Sequence, residues 1–238
     1  MSRSFYNFGM ATTETPTQIK ANYVRLMGPR AGEAFAELMQ DAARLHLKWN
    51  EFLALFAVSP AQIETMNRAA PGFFYLVSEA WWDGIILYIF RLTDHNKKVL
   101  SLVTLKKLLP PAIQGSYDQE LKLALAASRF AHDLRHADIG HRNREVALQV
   151  KPVPRSSRDQ VRKAIAAVDH VLHFVDHHYT GNEPTIYDHL EIRGGSARFC
   201  GWSGAASRPG TTTSRTTGRR CSSLISPVQS RCTASSVA

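Results

Sequence analysis

Phe35, Leu38, Ala42, Leu45, Trp49, Phe52 and Phe56 step along the chain by three or four residues without a break. That rhythm puts all seven on one side of an α-helix about 33 Å long. Such a helix cannot stand alone, because its apolar stripe must be covered by other elements. Val161, Ile165, Val168, Leu172, Val175 and Tyr179 form a second stripe of the same kind. No segment shows the sustained two-residue alternation of a half-buried strand. The chain therefore reads as all-α, an up-and-down bundle of four main helices with short extra helices.

Helix punctuation fills in the order. Ser59-Pro60-Ala61-Gln62 offers an N-cap, a proline at the first helical position and a capping-box glutamine, so a short helix is expected to about Arg68. Pro71 opens a helix to about Thr93 that is apolar nearly all round, which predicts neighbours on every side. Asp94 to Lys98 is a polar loop, and Leu100 to Leu109 a short helix stopped by Pro110-Pro111. A further main helix starts near Tyr117 and reaches Arg135, with Gly140 marking its end or a kink. Lys151-Pro152-Val153-Pro154 reads as a linker, and Ser157-Arg158-Asp159-Gln160 as a second capping box.

The 238 residues carry a net charge of +9. That excess is misleading as a nucleic-acid signal. Residues 192–238 hold seven arginines and no acidic residue, leaving only +2 for residues 1–191. The same segment holds all three cysteines, Cys200, Cys221 and Cys232. It has scattered glycines, Ser/Thr runs and no periodicity, so we expect a helical domain over 1–191 and a disordered basic tail over 192–238. The abrupt loss of acidic residues is equally compatible with an out-of-frame reading of the terminal codons. No cysteine framework can belong to the domain. No secretory signal is evident in Met1 to Thr13, and the longest uncharged run within Ala70–Leu92 is nine residues. A membrane span needs roughly 18 to 20. We expect a cytoplasmic protein without a membrane partner.

Arg135-His136-Ala137-Asp138-Ile139-Gly140-His141 is the stretch most suited to chemistry. Arginine is a fixed cation with a planar fork for phosphate oxygens, and histidine moves a proton near neutral pH. On a continuous helix six residues rotate about 600°, leaving Arg135 and His141 roughly 120° apart. A shared site then needs a break near Gly140 or a second subunit. The same pair also suits a bland role, as a buried ion-pair partner and a helix-end histidine.

The run resembles the Arg-polar-x(3–5)-His signature of the HEPN superfamily, with His136 as the polar residue. Phe73 through Leu105, with Ile85 to Asp94 and then Leu100-Ser101-Leu102, is similar to the core helix and following loop of the abortive-infection U-type (AbiU-like) branch. The resemblance covers roughly residues 30–180. It implies a helical homodimer and, in active members, a metal-independent endoribonuclease with no cofactor. Arg135 and His141 would be the catalytic pair, with His136 beside them, and the product a 2′,3′-cyclic phosphate. It also implies a toxin or anti-phage setting. Some relatives keep the fold without the activity. A non-catalytic module partnering a nucleotidyltransferase-type antitoxin is therefore the rival expectation, and a histidine-based metal enzyme a third.

Other polar residues are candidates around this pair. His132 lies four residues before His136 and shares a face with Arg135; it suits a proton carrier, a phosphate contact or a zinc ligand. Arg142 and Arg144 could hold RNA backbone or simply be solvated. Glu79 and Asp83, four apart in the most apolar helix, could orient Arg135 or a histidine, or face water in a groove. Arg91 and Asp94 read as a structural pair. His170, His173 and His177 fall opposite the second stripe, which suits a solvated face, a dimer seam or a metal site.

Overall fold

The computed structural model describes residues 15–57, 59–140, 144–152 and 154–181. The tail expected over 192–238 and its cysteines lie outside them. Of the described residues 83% are helical and none is in a strand. In chain order the α-helices are α1 (Pro16–Met27), α2 (Pro29–Phe56), α3 (Pro60–Ala69), α4 (Pro71–Leu92), α5 (Leu102–Leu105), α6 (Pro111–Leu134), α7 (Arg144–Ala147) and α8 (Arg158–Thr180). The four long ones are α2, α4, α6 and α8, which is the expected bundle. A 3₁₀ turn, Lys106–Leu108, follows α5, and a π-helical turn, Arg135–Ile139, follows α6.

Both predicted stripes are interior. Phe35, Leu38, Ala42, Leu45, Trp49 and Phe52 of α2 are buried, as are Val161, Ile165, Val168, Leu172 and Val175 of α8. They meet Trp82, Ile85, Ile86 and Ile89 of α4, and Tyr117, Leu121, Ala124 and Ala131 of α6, in one core. Polar bolts cross it. His46 of α2 binds both carboxylate oxygens of Asp169 on α8 at 2.9 Å. Trp82 of α4 donates to Ser156, just before α8, at 3.2 Å.

Capping chemistry sets several of the boundaries. Ser157 and Gln160 form the predicted capping box at the start of α8. Ser59 does not: it stands at the N-cap of α3 without a side-chain cap bond, and Pro60 takes the first helical position. α6 begins at Pro111, six residues earlier than Tyr117 suggested, because a proline that stops one helix is also suited to the first position of the next. α1 was not foreseen; Thr15 and Gln18 make its capping box and Tyr23 is its one buried side chain. Gly28, with φ +80°, turns the chain from α1 into α2.

α4 departs from expectation in one respect. It is long and apolar enough, by length and composition alone, to cross a membrane. Its inner face (Phe74, Ser78, Trp82, Ile85, Ile86, Ile89, Phe90) is buried in the bundle. Its outer face is not covered: Phe73 is 61% and Leu76 62% exposed. A helix with two apolar faces looks the same in sequence whether or not the second one has a neighbour.

Candidate active site

The end of α6 carries the Arg135 run, and the helix changes character there. Gly140 donates its N–H to the Arg135 carbonyl at 2.8 Å, closing a turn five residues back instead of four. Gly140 also has a steric role. A Cβ there would stand 2.8 Å from Arg135 Nε and 3.0 Å from its carbonyl oxygen. The missing side chain leaves room for the arginine to fold back across its own turn.

So placed, Arg135 reaches the C-terminal end of α4. Its guanidinium carbon lies 4.9 Å from the centroid of the Phe90 ring, a cation–π contact. Arg135 Nη1 donates to His136 Nδ1 at 3.3 Å. Phe90 is a platform for the histidines too. His132 packs edge-on to it at 4.8 Å and His136 at 6.1 Å between centroids. The i, i+4 spacing of His132 and His136 thus does place both beside Arg135.

A residue not singled out from sequence joins them. The His95 ring lies 5.6 Å from that of His132. Its loop is fixed by hydrogen bonds: Asn96 N–H to Asp94 Oδ1 at 2.9 Å, Lys98 N–H to Asn96 Oδ1 at 3.0 Å, and Ser101 Oγ to the Asp94 carbonyl at 2.7 Å. Lys97 and Lys98 are exposed on the same loop. Thr93, fully buried at the end of α4, sits 3.0 Å from His132 Nε2 through its Oγ1.

His132 is the most perturbed imidazole here. Burial is the main cause that pulls its pKa below the usual histidine value; the adjacent His95 and then His136 add to it, while Asp94 and Asp133 oppose. It is therefore neutral at pH 7. The sign for stability follows. The folded state disfavours the charged form, so this contribution is complete above the ordinary histidine pKa of about 6.5 and is lost as pH falls through the lowered folded value. His132→Gln is expected to flatten the decline of stability below pH 6.5, as read from urea midpoints at pH 7.5, 6.5 and 5.5. An unchanged slope would mean His132 titrates normally.

The remaining candidates are scattered. His141 and Arg142 lie outside the described residues. Arg144 is exposed at the start of α7. Glu79 and Asp83 are half-buried on the flank of α4 that carries Phe90, but about 16 and 10 Å of helix rise before it. Arg135 pairs with no carboxylate among the described residues. Its neighbours are aromatic and imidazole rings. Arg91 pairs with Asp41 of α2 at 3.0 Å rather than with Asp94, whose carboxylate caps its own loop. On α8, His170 and His177 are exposed, while His173 is half-buried with an unpartnered, buried Nδ1. Among the described residues, no three His, Cys, Asp or Glu side chains gather as a metal site.

A bundle of four long helices, the third of which is followed in sequence by Arg-polar-x(4)-His, has the architecture of a HEPN protein. The family model for AbiU2 within that superfamily matches residues 29–198, and the chain belongs to this family. The match runs seven residues past the domain boundary expected at residue 191. Membership gives the chain a HEPN-type, abortive-infection function. No curated protein and no solved structure matches it.

Proposed function

We propose that the protein is a metal-independent endoribonuclease of an anti-phage or toxin system, acting as a homodimer. The observation that carries this reading is the placement of Arg135 on Phe90 beside three imidazoles, at one end of the bundle. A phosphodiester anion needs a fixed cation that is not already neutralised, and Arg135 meets that need. Cleavage also needs proton carriers that work near neutral pH, and histidines meet that one. In this reading Arg135 holds the non-bridging phosphate oxygens. His136 presents its outer nitrogen to the phosphate. His141 protonates the departing 5′-oxygen. Attack by the ribose 2′-hydroxyl then leaves a 2′,3′-cyclic phosphate. Arg142, Arg144 and the loop lysines Lys97 and Lys98 would track the RNA backbone.

The test is RNA cleavage in EDTA by the wild type and by His141→Ala. Cleavage that resists EDTA and is lost in the variant is the expected result. Cleavage that resists EDTA and survives the substitution removes His141 from the mechanism.

The uncovered face of α4 favours a second reading, a non-catalytic module whose Phe73 and Leu76 receive a partner such as an antitoxin. Failure to cleave any RNA tried would favour it.

A further inference from the structure

The ribonuclease reading leaves one role unassigned, the base that removes the 2′-hydroxyl proton. The geometry points to His132 as that general base, acting through Nδ1 and held in a fixed tautomer by Thr93. This assignment rests on the ribonuclease reading and adds a residue to it.

Thr93 has one hydroxyl proton. Its Oγ1 lies 2.8 Å from the Ile89 carbonyl, one turn back in α4, and 3.0 Å from His132 Nε2. A carbonyl can only accept, so the hydroxyl proton goes there. Oγ1 is then an acceptor towards the imidazole, and both short contacts are hydrogen bonds only if His132 carries its proton on Nε2. Neutral His132 thus keeps a lone pair on Nδ1. Thr93 is fully buried at the end of the packed helix, so this orientation is anchored in the core.

His136 is in the opposite situation. A guanidinium only donates, so the contact from Arg135 Nη1 occupies the His136 Nδ1 lone pair. That leaves His136 an N–H donor on its outer side, suited to a phosphate oxygen and not to taking a proton. The two histidines are one helical turn apart, rest on the same ring and are set up for different tasks. Protonation of His132 is opposed first by its burial, then by His95 from the α4–α5 loop and by His136 one turn on; Asp94 and Asp133 act the other way. A base must be unprotonated before it acts, and this surrounding keeps it so.

The step balances without a further reactant. The 2′-hydroxyl proton passes to His132 Nδ1 as the 2′-oxygen forms its bond to phosphorus. The bond from phosphorus to the 5′-oxygen breaks, and that oxygen leaves with the proton of the acid assigned above. His132 and the acid return to their starting states by exchange with water.

His132→Gln separates this role from a structural one. The glutamine amide stands where Nε2 stood and can still donate to Thr93, but it has nothing that titrates. The variant is expected to fold, to lower kcat about 100-fold with little change in KM, and to lose the acid limb of the kcat/KM profile. Imidazole ¹⁵N spectra of the wild type without RNA are expected to show the Nε2–H tautomer of His132 at pH 7.5. Thr93→Val keeps the side-chain shape and is expected to mix the tautomers and lower kcat rather than raise KM. Cleavage by His132→Gln with the acid limb intact overturns the assignment and leaves the ribonuclease reading standing. So does an Nδ1–H tautomer in the wild type. A wild type that cleaves no RNA overturns both.

Discussion

Arg135→Ala is expected to cleave RNA about 10²–10³-fold more slowly than the parent, the cost of removing one preorganised donor aimed at developing charge. The fold should barely register the change. Arg135 is only half-buried, and its contact with Phe90 is worth about 0.5–1 kcal/mol, or roughly 1–4 °C in the thermal midpoint of a domain this size. Arg135→Lys should recover a small part of the rate. Lysine restores the charge but not the planar fork, nor the side-on reach that lets Arg135 cover Phe90 while touching His136. Rates and melting curves on the same preparations decide the matter. A drop in rate matched by a large drop in midpoint would make Arg135 a structural residue. An unchanged rate would remove it from the site.

The largest loss of stability is expected from Phe35→Ala, about 3–5 kcal/mol, or roughly 6–20 °C in midpoint. Phe35 is fully buried on α2. Tyr23 of α1 meets it edge-on, with ring centroids 4.8 Å apart. The Tyr23 hydroxyl then donates to Asp176 of α8 at 2.8 Å. Removing the Phe35 ring leaves a cavity and unseats the one buried side chain of α1, so the cavity cost and the loosened bond combine. Local collapse is a poor remedy there. One turn earlier, a Cβ on Gly32 would stand 2.4 Å from the Tyr23 carbonyl oxygen, so the two helices already touch backbone to backbone. Urea unfolding reads the effect. A loss below about 1 kcal/mol would show that this corner repacks freely.

How legible each element was depended on how much of its environment was its own sequence. The stripes of α2 and α8 could be read because burial on one face imprints a period on the residues themselves. α1 is short, with Tyr23 as its only fully buried residue, and leaves almost no period to read. The outer face of α4 was misjudged because composition states that Phe73 and Leu76 are apolar, not what stands opposite them. At the site, the helical repeat correctly grouped Arg135, His136 and His132. It gave no hint of His95, which comes from a loop 37 residues earlier and arrives only through packing of α4 against α6. Nor did it place Glu79 and Asp83, which share a flank with Phe90 but stand well down the helix from it. The residue that could have been suspected is Thr93, a hydroxyl at a helix end preceding a histidine-bearing loop.

The widened turn at Arg135 has a consequence for how motif length is understood. A turn closed five residues back holds one residue more than an α-turn, so it behaves as an insertion stored inside a helix. Taking one residue out between His136 and Ile139 would let the turn relax to the ordinary pitch. Gly140 would then keep its aim, because the residue removed is the one the wide turn had absorbed. The count of residues in the motif therefore does not by itself fix a phase, because a change of one can be absorbed by the pitch of the turn without moving the bundle beneath it.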